Sequence, residues 1–165
     1  MSNSPFATEA HDHRECVHAA LVSADGVCAR AGVRLTALRR EVLELVWQSH
    51  RPIGAYAILG ALGRTRGRVA PPTVYRALDF LRTHGLVHRI ESLNAYVGCV
   101  RPESRHETQF LICTECGAAA ELDDGAITAA LATAAGKLGF SSRQLIVEIA
   151  GECPECRSEE SGDGP

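Results

Sequence analysis

The sequence predicts an α+β chain: a helical first half closed by a two-stranded hairpin, then a small α/β domain with a metal-stapled three-stranded sheet. Three observations predict it. Two Cys-x-x-Cys pairs, Cys113/Cys116 and Cys153/Cys156, flank 36 residues that read as strand, helix and strand. Apolar residues recur at helical spacing up to Gly85, and two short strand-like runs follow, Leu86–Glu91 and Ala95–Cys99. Charge is unevenly placed: residues 1–94 carry 12 Arg/Lys against 8 Asp/Glu, and residues 95–165 carry 5 against 12. A basic first half before an acidic second half implies two domains, with any nucleic-acid surface in the first.

At 165 residues the chain has room for one or two small domains, and its 45% hydrophobic content is ample for a core. No run of about 18 apolar residues is present, so no membrane span is expected. The start, Met1-Ser-Asn-Ser-Pro-Phe6, lacks the basic and apolar stretches of a secretory signal. Seven cysteines, an odd number with four in paired motifs, fit a reducing cytoplasm and metal ligation better than a disulfide framework.

Residues 1–12 are polar and small and are expected to be an unstructured tail. Its His11 and the adjoining His13 form a His-x-His pair that reads as solvated. From His13 to Ala31 the positions Val17, Ala20, Leu21, Val27 and Cys28 recur at helical spacing, and Gly32 ends that helix. Cys16 and Cys28 have no thiol partner at metal spacing and read as packing residues. Thr36 is a good N-cap for a second helix, whose stripe is Leu38, Val42, Leu45 and Val46. Pro52-Ile-Gly54 breaks the chain before a short third helix, Ala55–Leu62, and Gly63–Ala70 reads as a loop carrying Arg64, Arg66 and Arg68. Pro71-Pro72 leads into a fourth helix, 73–84, with Thr73 as its expected cap and Gly85 as its left-handed terminus. Val74, Leu78 and Leu81 form its buried face, leaving Thr73, Tyr75, Arg76, Asp79 and Arg82 elsewhere.

Helices followed by a hairpin are in the order of a winged helix-turn-helix. The fourth helix is then the recognition helix, which presents its N-terminal side chains to base edges in the major groove. Arg76 is the best candidate for a guanine contact because its fork meets O6 and N7 together. Tyr75 and Thr73 are placed for phosphates or thymine methyls.

Arg101–Arg105 reads as a connector. Gln109–Cys113 and Gly117–Leu122 read as strands turned around the first cysteine pair. Asp123-Asp124 caps a helix, 125–138, with Ile127, Leu131, Ala134 and Leu138 on one stripe. Leu145–Ala150 reads as the third strand and reaches the second cysteine pair. Four thiolates from two tight turns make a tetrahedral set that suits a structural zinc, and a four-cysteine site leaves no position for water chemistry. Two disulfides or four separate thiols are the alternatives. So small a sheet leaves an edge or helix face uncovered, which makes a dimer plausible. The expected domains are 1–12 tail, 13–99 winged helix, 100–106 hinge, 107–156 dimerisation domain and 157–165 unstructured acidic tail.

A second ligand set surrounds the connector: His88, Cys99, His106 and Glu121. One thiolate, two imidazoles and a carboxylate suit zinc better than iron. Their separations of 11, 7 and 15 residues do not by themselves distinguish a site from a wing histidine, a core cysteine and two solvated polar residues.

Pro71-Pro-Thr-Val-Tyr-Arg-Ala-Leu78, Gly85-Leu-Val-His88 and Cys113-x-x-Cys-Gly117 resemble the ferric uptake regulator family. Tyr75-Arg-Ala-Leu-Asp-Phe-Leu81, Val87-His-Arg-Ile-Glu-Ser92 and Asn94-Ala-Tyr-Val-Gly-Cys99 are similar to its zinc uptake regulator branch. The resemblance covers about residues 14–156. It implies a homodimeric bacterial transcription regulator, a structural zinc at the four cysteines and a regulatory zinc at His88, Cys99, His106 and Glu121. It also implies DNA contacts at Tyr56 and Arg76. Iron and peroxide sensors of the family carry a His-His-Asp-His run where this chain has Arg105-His106-Glu107-Thr108, so two histidine ligands are missing.

The expected function is therefore zinc-responsive repression of zinc-uptake genes, with two Zn²⁺ per monomer and a palindromic double-stranded operator. No enzyme activity, membrane or small organic substrate is expected. The alternatives are a sensor of another metal or of peroxide, and a zinc-dependent hydrolase using Glu121 as base on a metal-bound water.

Overall fold

The computed structural model describes residues 6, 13–48, 51–104 and 108–160, without the side chains of residues 13, 159 and 160. His11 and the rest of the expected N-terminal tail apart from Phe6, together with His106 of the proposed ligand set, lie outside the described residues. The described residues through Ser104 form one compact unit, and those from Thr108 onward form a second. No described helix is long and apolar enough to cross a membrane.

The first unit contains α1 (His13–Arg30), α2 (Ala37–Trp47), β1 (Ile53–Gly54), α3 (Ala55–Arg66), α4 (Pro71–Thr83), β2 (Val87–Ile90) and β3 (Ala95–Gly98). Its core gathers Ala24 and Cys28 of α1, Val42, Leu43 and Val46 of α2, Ile58 and Leu62 of α3, and Val74, Leu78 and Leu81 of α4. The expected stripes of α2 and α4 are thus the buried ones, with Leu38 and Leu45 partly buried at the margin. Thr36 caps α2, its hydroxyl accepting from the Arg39 N–H at 3.4 Å.

Three local readings are corrected. Helix α3 runs to Arg66, not Leu62, so Arg64 and Arg66 sit on its last turn and not in a loop. Thr65 Oγ1 donates to Glu41 of α2 at 2.7 Å and Arg66 pairs with the same carboxylate, which fastens that last turn. Thr73 does not cap α4: Ala70 is the N-cap, and Pro71 and Pro72 occupy the first helical positions, where a missing N–H costs nothing. Ile53 and Gly54 add a third strand to the wing, in the antiparallel order β1-β3-β2. Gly85, at φ +68°, closes α4 as expected: its N–H donates to Arg82 O, and Leu86 N–H donates to Leu81 O at 2.9 Å. This turn delivers the chain directly into β2.

The second unit contains β4 (Gln109–Cys113), β5 (Ala119–Leu122), α5 (Gly125–Lys137), β6 (Val147–Gly151) and α6 (Pro154–Glu160). Its sheet has the order β5-β4-β6, antiparallel between β4 and β5 and parallel between β4 and β6. The parallel pair needs a crossover, which α5 supplies. Asp124 caps α5 by accepting from Ala126 N–H at 2.8 Å. Buried Gln109 donates to Thr128 Oγ1 and accepts from Asp124 N–H, both at 3.1 Å, and so pins α5 to the sheet. One expectation holds here and one fails. The uncovered face expected beside so small a sheet is found on α5, which buries no residue, and Leu138, placed on its stripe, is 86% exposed. Residues 157–160, expected in an unstructured tail, continue α6.

Candidate metal centres and nucleic-acid face

The β4–β5 turn brings Cys113 and Cys116 together. Cys113 N–H donates to Ala118 O at 2.8 Å and Gly117 N–H to Cys113 O at 3.0 Å. The parallel pairing of β6 with β4 carries the second pair alongside, and Thr114 N–H donates to Gly151 O at 2.8 Å. The four Sγ atoms of Cys113, Cys116, Cys153 and Cys156 lie within 4.8 Å of one another, with Cys116 and Cys153 at 3.9 Å. A tetrahedron of four sulfurs about 2.3 Å from zinc has edges of about 3.8 Å, so the set fits that ion. The backbone supports thiolate character. N–H groups of Cys116 and Cys153 turned toward Cys113 push its thiol down to about 6. Cys153 N–H donates to that sulfur at 3.3 Å. The Cys156 thiol is pushed up, by its hydrogen bond with Cys153 and by burial. Four thiols this close cannot all ionise without a cation, which suits a site that folds around its metal.

Two members of the other ligand set belong to the wing. His88 is half-buried on β2 opposite Val97, and Cys99, 3% exposed, follows β3. Cys99 N–H donates to Leu86 O at 3.1 Å, which extends the ladder to Cys99 itself. By strand alternation His88 and Cys99 share one face of the hairpin. A ring nitrogen of His88 and the Cys99 sulfur lie within 4.8 Å of each other. Glu121 lies on β5 in the second unit, half-buried, where Thr108 Oγ1 donates to it at 3.4 Å.

The candidate nucleic-acid residues are all exposed. Thr73, Tyr75 and Arg76 stand on the outer side of α4, away from Val74, Ala77 and Leu78. Tyr56 on α3 is 75% exposed, far more than an aromatic ring retained for packing. Arg64 and Arg68 are exposed beside them in sequence, whereas Arg66 and Arg82 are engaged by Glu41 and Asp79. Arg39 lies 3.5 Å over the Phe80 ring, which also meets His84 at 4.2 Å between centroids. The Arg39 contact bolts α2 to α4. A cation on an aromatic face has no spacing signature in a sequence.

Comparison with known proteins gives the family. The model of the ferric uptake regulator family matches residues 30–150. The chain is 40% identical over 137 residues to the zinc uptake regulation protein of Escherichia coli (strain K12), covering 82% of this chain and 80% of that protein. Its fold is similar to a zinc uptake regulator complexed with zinc and DNA, at a TM-score of 0.82 and 37% identity over 92% of this chain and 99% of that one. It is also similar to the crystal structure of holo XcZur, at a TM-score of 0.76 and 39% identity over 87% and 98% of the two chains. The chain belongs to the ferric uptake regulator family, in its zinc uptake regulator branch.

Proposed function

We propose that this chain is a zinc-responsive transcriptional repressor of zinc-uptake genes. It acts in the cytoplasm as a homodimer on a palindromic double-stranded operator, holds two zinc ions per monomer and carries out no catalysis. The observation that carries the reading is the wing itself. The hairpin that completes the DNA-binding unit also bears the His88–Cys99 pair, its ligand atoms within 4.8 Å of each other. A ligand pair there ties metal occupancy to the unit that presents Tyr56, Thr73, Tyr75 and Arg76.

The proposed regulatory set is His88, Cys99, His106 and Glu121. His88 and Cys99 come from the wing and Glu121 from β5, and His106 falls between them in the chain. Zinc, when bound, supplies one centre that holds four side chains at fixed separation. The residues then restrict the angle between the DNA-binding and dimerising parts of the chain. In a dimer that angle sets the distance between two α4 helices, which must be about 34 Å or a multiple to enter successive major grooves. Shifting the competent arrangement from about 1% to 99% requires roughly 5.5 kcal/mol of differential binding. Structural zinc sites reach roughly 10–16 kcal/mol in peptides, so a looser site suffices. By linkage, DNA tightens zinc binding by the same factor.

The homodimer is supported by what the second unit leaves uncovered. Leu131 and Leu138 on and after α5, Phe140, Ile146 and Ile149 are all exposed, and β6 is an edge strand. Exposed apolar side chains on and around an edge strand favour a self-complementary partner.

The test is DNA binding in saturating zinc, with an operator selected from a random duplex pool. His88→Ala and Cys99→Ser are expected to lose specific binding. Wild-type affinity in both would contradict the proposed function of the site.

A further inference from the structure

Trp47, the one tryptophan of the sequence, is the last residue of α2. Its indole lies against the backbone of Gly98. A Cβ built there would fall 2.1 Å from Trp47 Cε2, 2.3 Å from Nε1 and 2.6 Å from Cζ2. Real Cβ atoms essentially never come within 3.0 Å of such neighbours, so the ring fills the space a side chain would take. Gly98 ends β3 and directly precedes Cys99. Trp47 and Cys99 also share the lining of a cavity of about 230 Å³, whose other walls include Cys16, Ala20 and Leu86. Empty space beside a strand end gives it nothing to pack against, and the lining loses those contacts. The indole Nε1 is buried with no hydrogen-bond partner among the described residues. A buried donor left unpaired is unfavourable. The ring is therefore held by its packing on the strand and not by polar satisfaction.

We infer that Trp47 is a positioning residue of the regulatory metal site: seated on Gly98, it fixes the end of β3 and with it the approach of the Cys99 sulfur to the His88 ring. The inference rests on the zinc reading of His88 and Cys99 proposed above. Supporting groups around metal ligands act in this way, setting ligand direction without touching the ion. The pair is specific in its sizes: a large ring at 47 requires the absence of a side chain at 98.

The experiment is zinc titration of the full-length dimer, with its four-cysteine site filled, against a competing chelator. Co²⁺ loading of the exchangeable site reports the sulfur-to-metal charge-transfer band of Cys99. Trp47→Ala is expected to weaken the exchangeable zinc by about 10–100-fold and to diminish the band. Trp47→Phe, which keeps a ring on Gly98, retains both. Gly98→Ala reproduces the loss, and Gly98→Ala combined with Trp47→Ala binds more tightly than Gly98→Ala alone, because the new Cβ no longer meets a ring. Thermal unfolding of the same variants separates a loosened fold from a misplaced sulfur, since Gly98→Ala tests the contact even where Trp47→Ala does not fold. Undiminished zinc affinity in both Trp47→Ala and Gly98→Ala, with Cys99→Ser weakened, overturns the positioning role alone. Undiminished affinity in Cys99→Ser overturns the zinc site and this inference together.

Discussion

Arg76 concentrates the account of DNA reading in one side chain. It is exposed on α4, one residue beyond Tyr75, while Arg39, Arg40, Arg66 and Arg82 are each engaged with a ring, a carbonyl or a carboxylate. Arg76→Ala is expected to cost about 1–3 kcal/mol of operator affinity and to relax base preference at one position. A competition assay against mixed-sequence DNA checks this, and a uniform loss on all sequences would reassign Arg76 to phosphate. Much of the site was legible at this scale. Cys113, Cys116, Cys153 and Cys156 announce themselves because a Cys-x-x-Cys turn has few other uses in a reduced protein. His88 and Cys99 could be named as candidate ligands from their chemistry, but only the resemblance weighted them toward a site, since no fixed spacing links a wing strand to its neighbour. Trp47 was not legible at all: its role depends on a missing side chain 51 residues away.

Element by element, the strong periodic stripes of α2 and α4 were readable, and the helix ends were not. Helix α3 outran its apolar pattern because Glu41, on another helix, holds Thr65 and Arg66. Thr73 had the chemistry of a cap but stood two residues inside a start already fixed by Pro71 and Pro72. Strand β1 was missed because two residues carry no period; only pairing with Ala95 and Tyr96 defines it. The Glu41 contact carries a pH dependence. Hydrogen bonds from Arg66 and then Thr65 hold its carboxyl below the ordinary 4.5. A depressed folded-state value means that the contribution is complete above about 4.5 and fades as pH falls through the lowered value. Both partners are partly solvated, so the effect is small, on the order of 1 kcal/mol or less. Glu41→Gln is expected to lower the urea midpoint at pH 7, and the gap from the parent should close as pH falls below 4.5. A gap constant across that range would contradict the ion-pair account.

For the whole molecule, the size of the second sheet already implied an uncovered edge or helix face, but not which one. It is α5, an Ala-rich helix that buries no residue within one chain, with Leu131 on it and Leu138 just after it. Replacing Leu131, Leu138 and Ile149 with aspartate should leave the four-cysteine site filled and the chain monomeric in sedimentation. Since all three side chains are exposed, a persisting dimer would place the interface elsewhere. The proposed function assigns two zinc sites different duties: the four cysteines would hold the second unit together, and His88, Cys99, His106 and Glu121 would govern DNA binding. The most direct measurement follows zinc per monomer, oligomeric state and operator affinity together during stepwise chelation. The account predicts that one zinc per monomer leaves first and takes specific DNA binding with it, while the second zinc and the dimer remain. A single zinc per monomer at saturation, with operator affinity indifferent to the chelator, would contradict it.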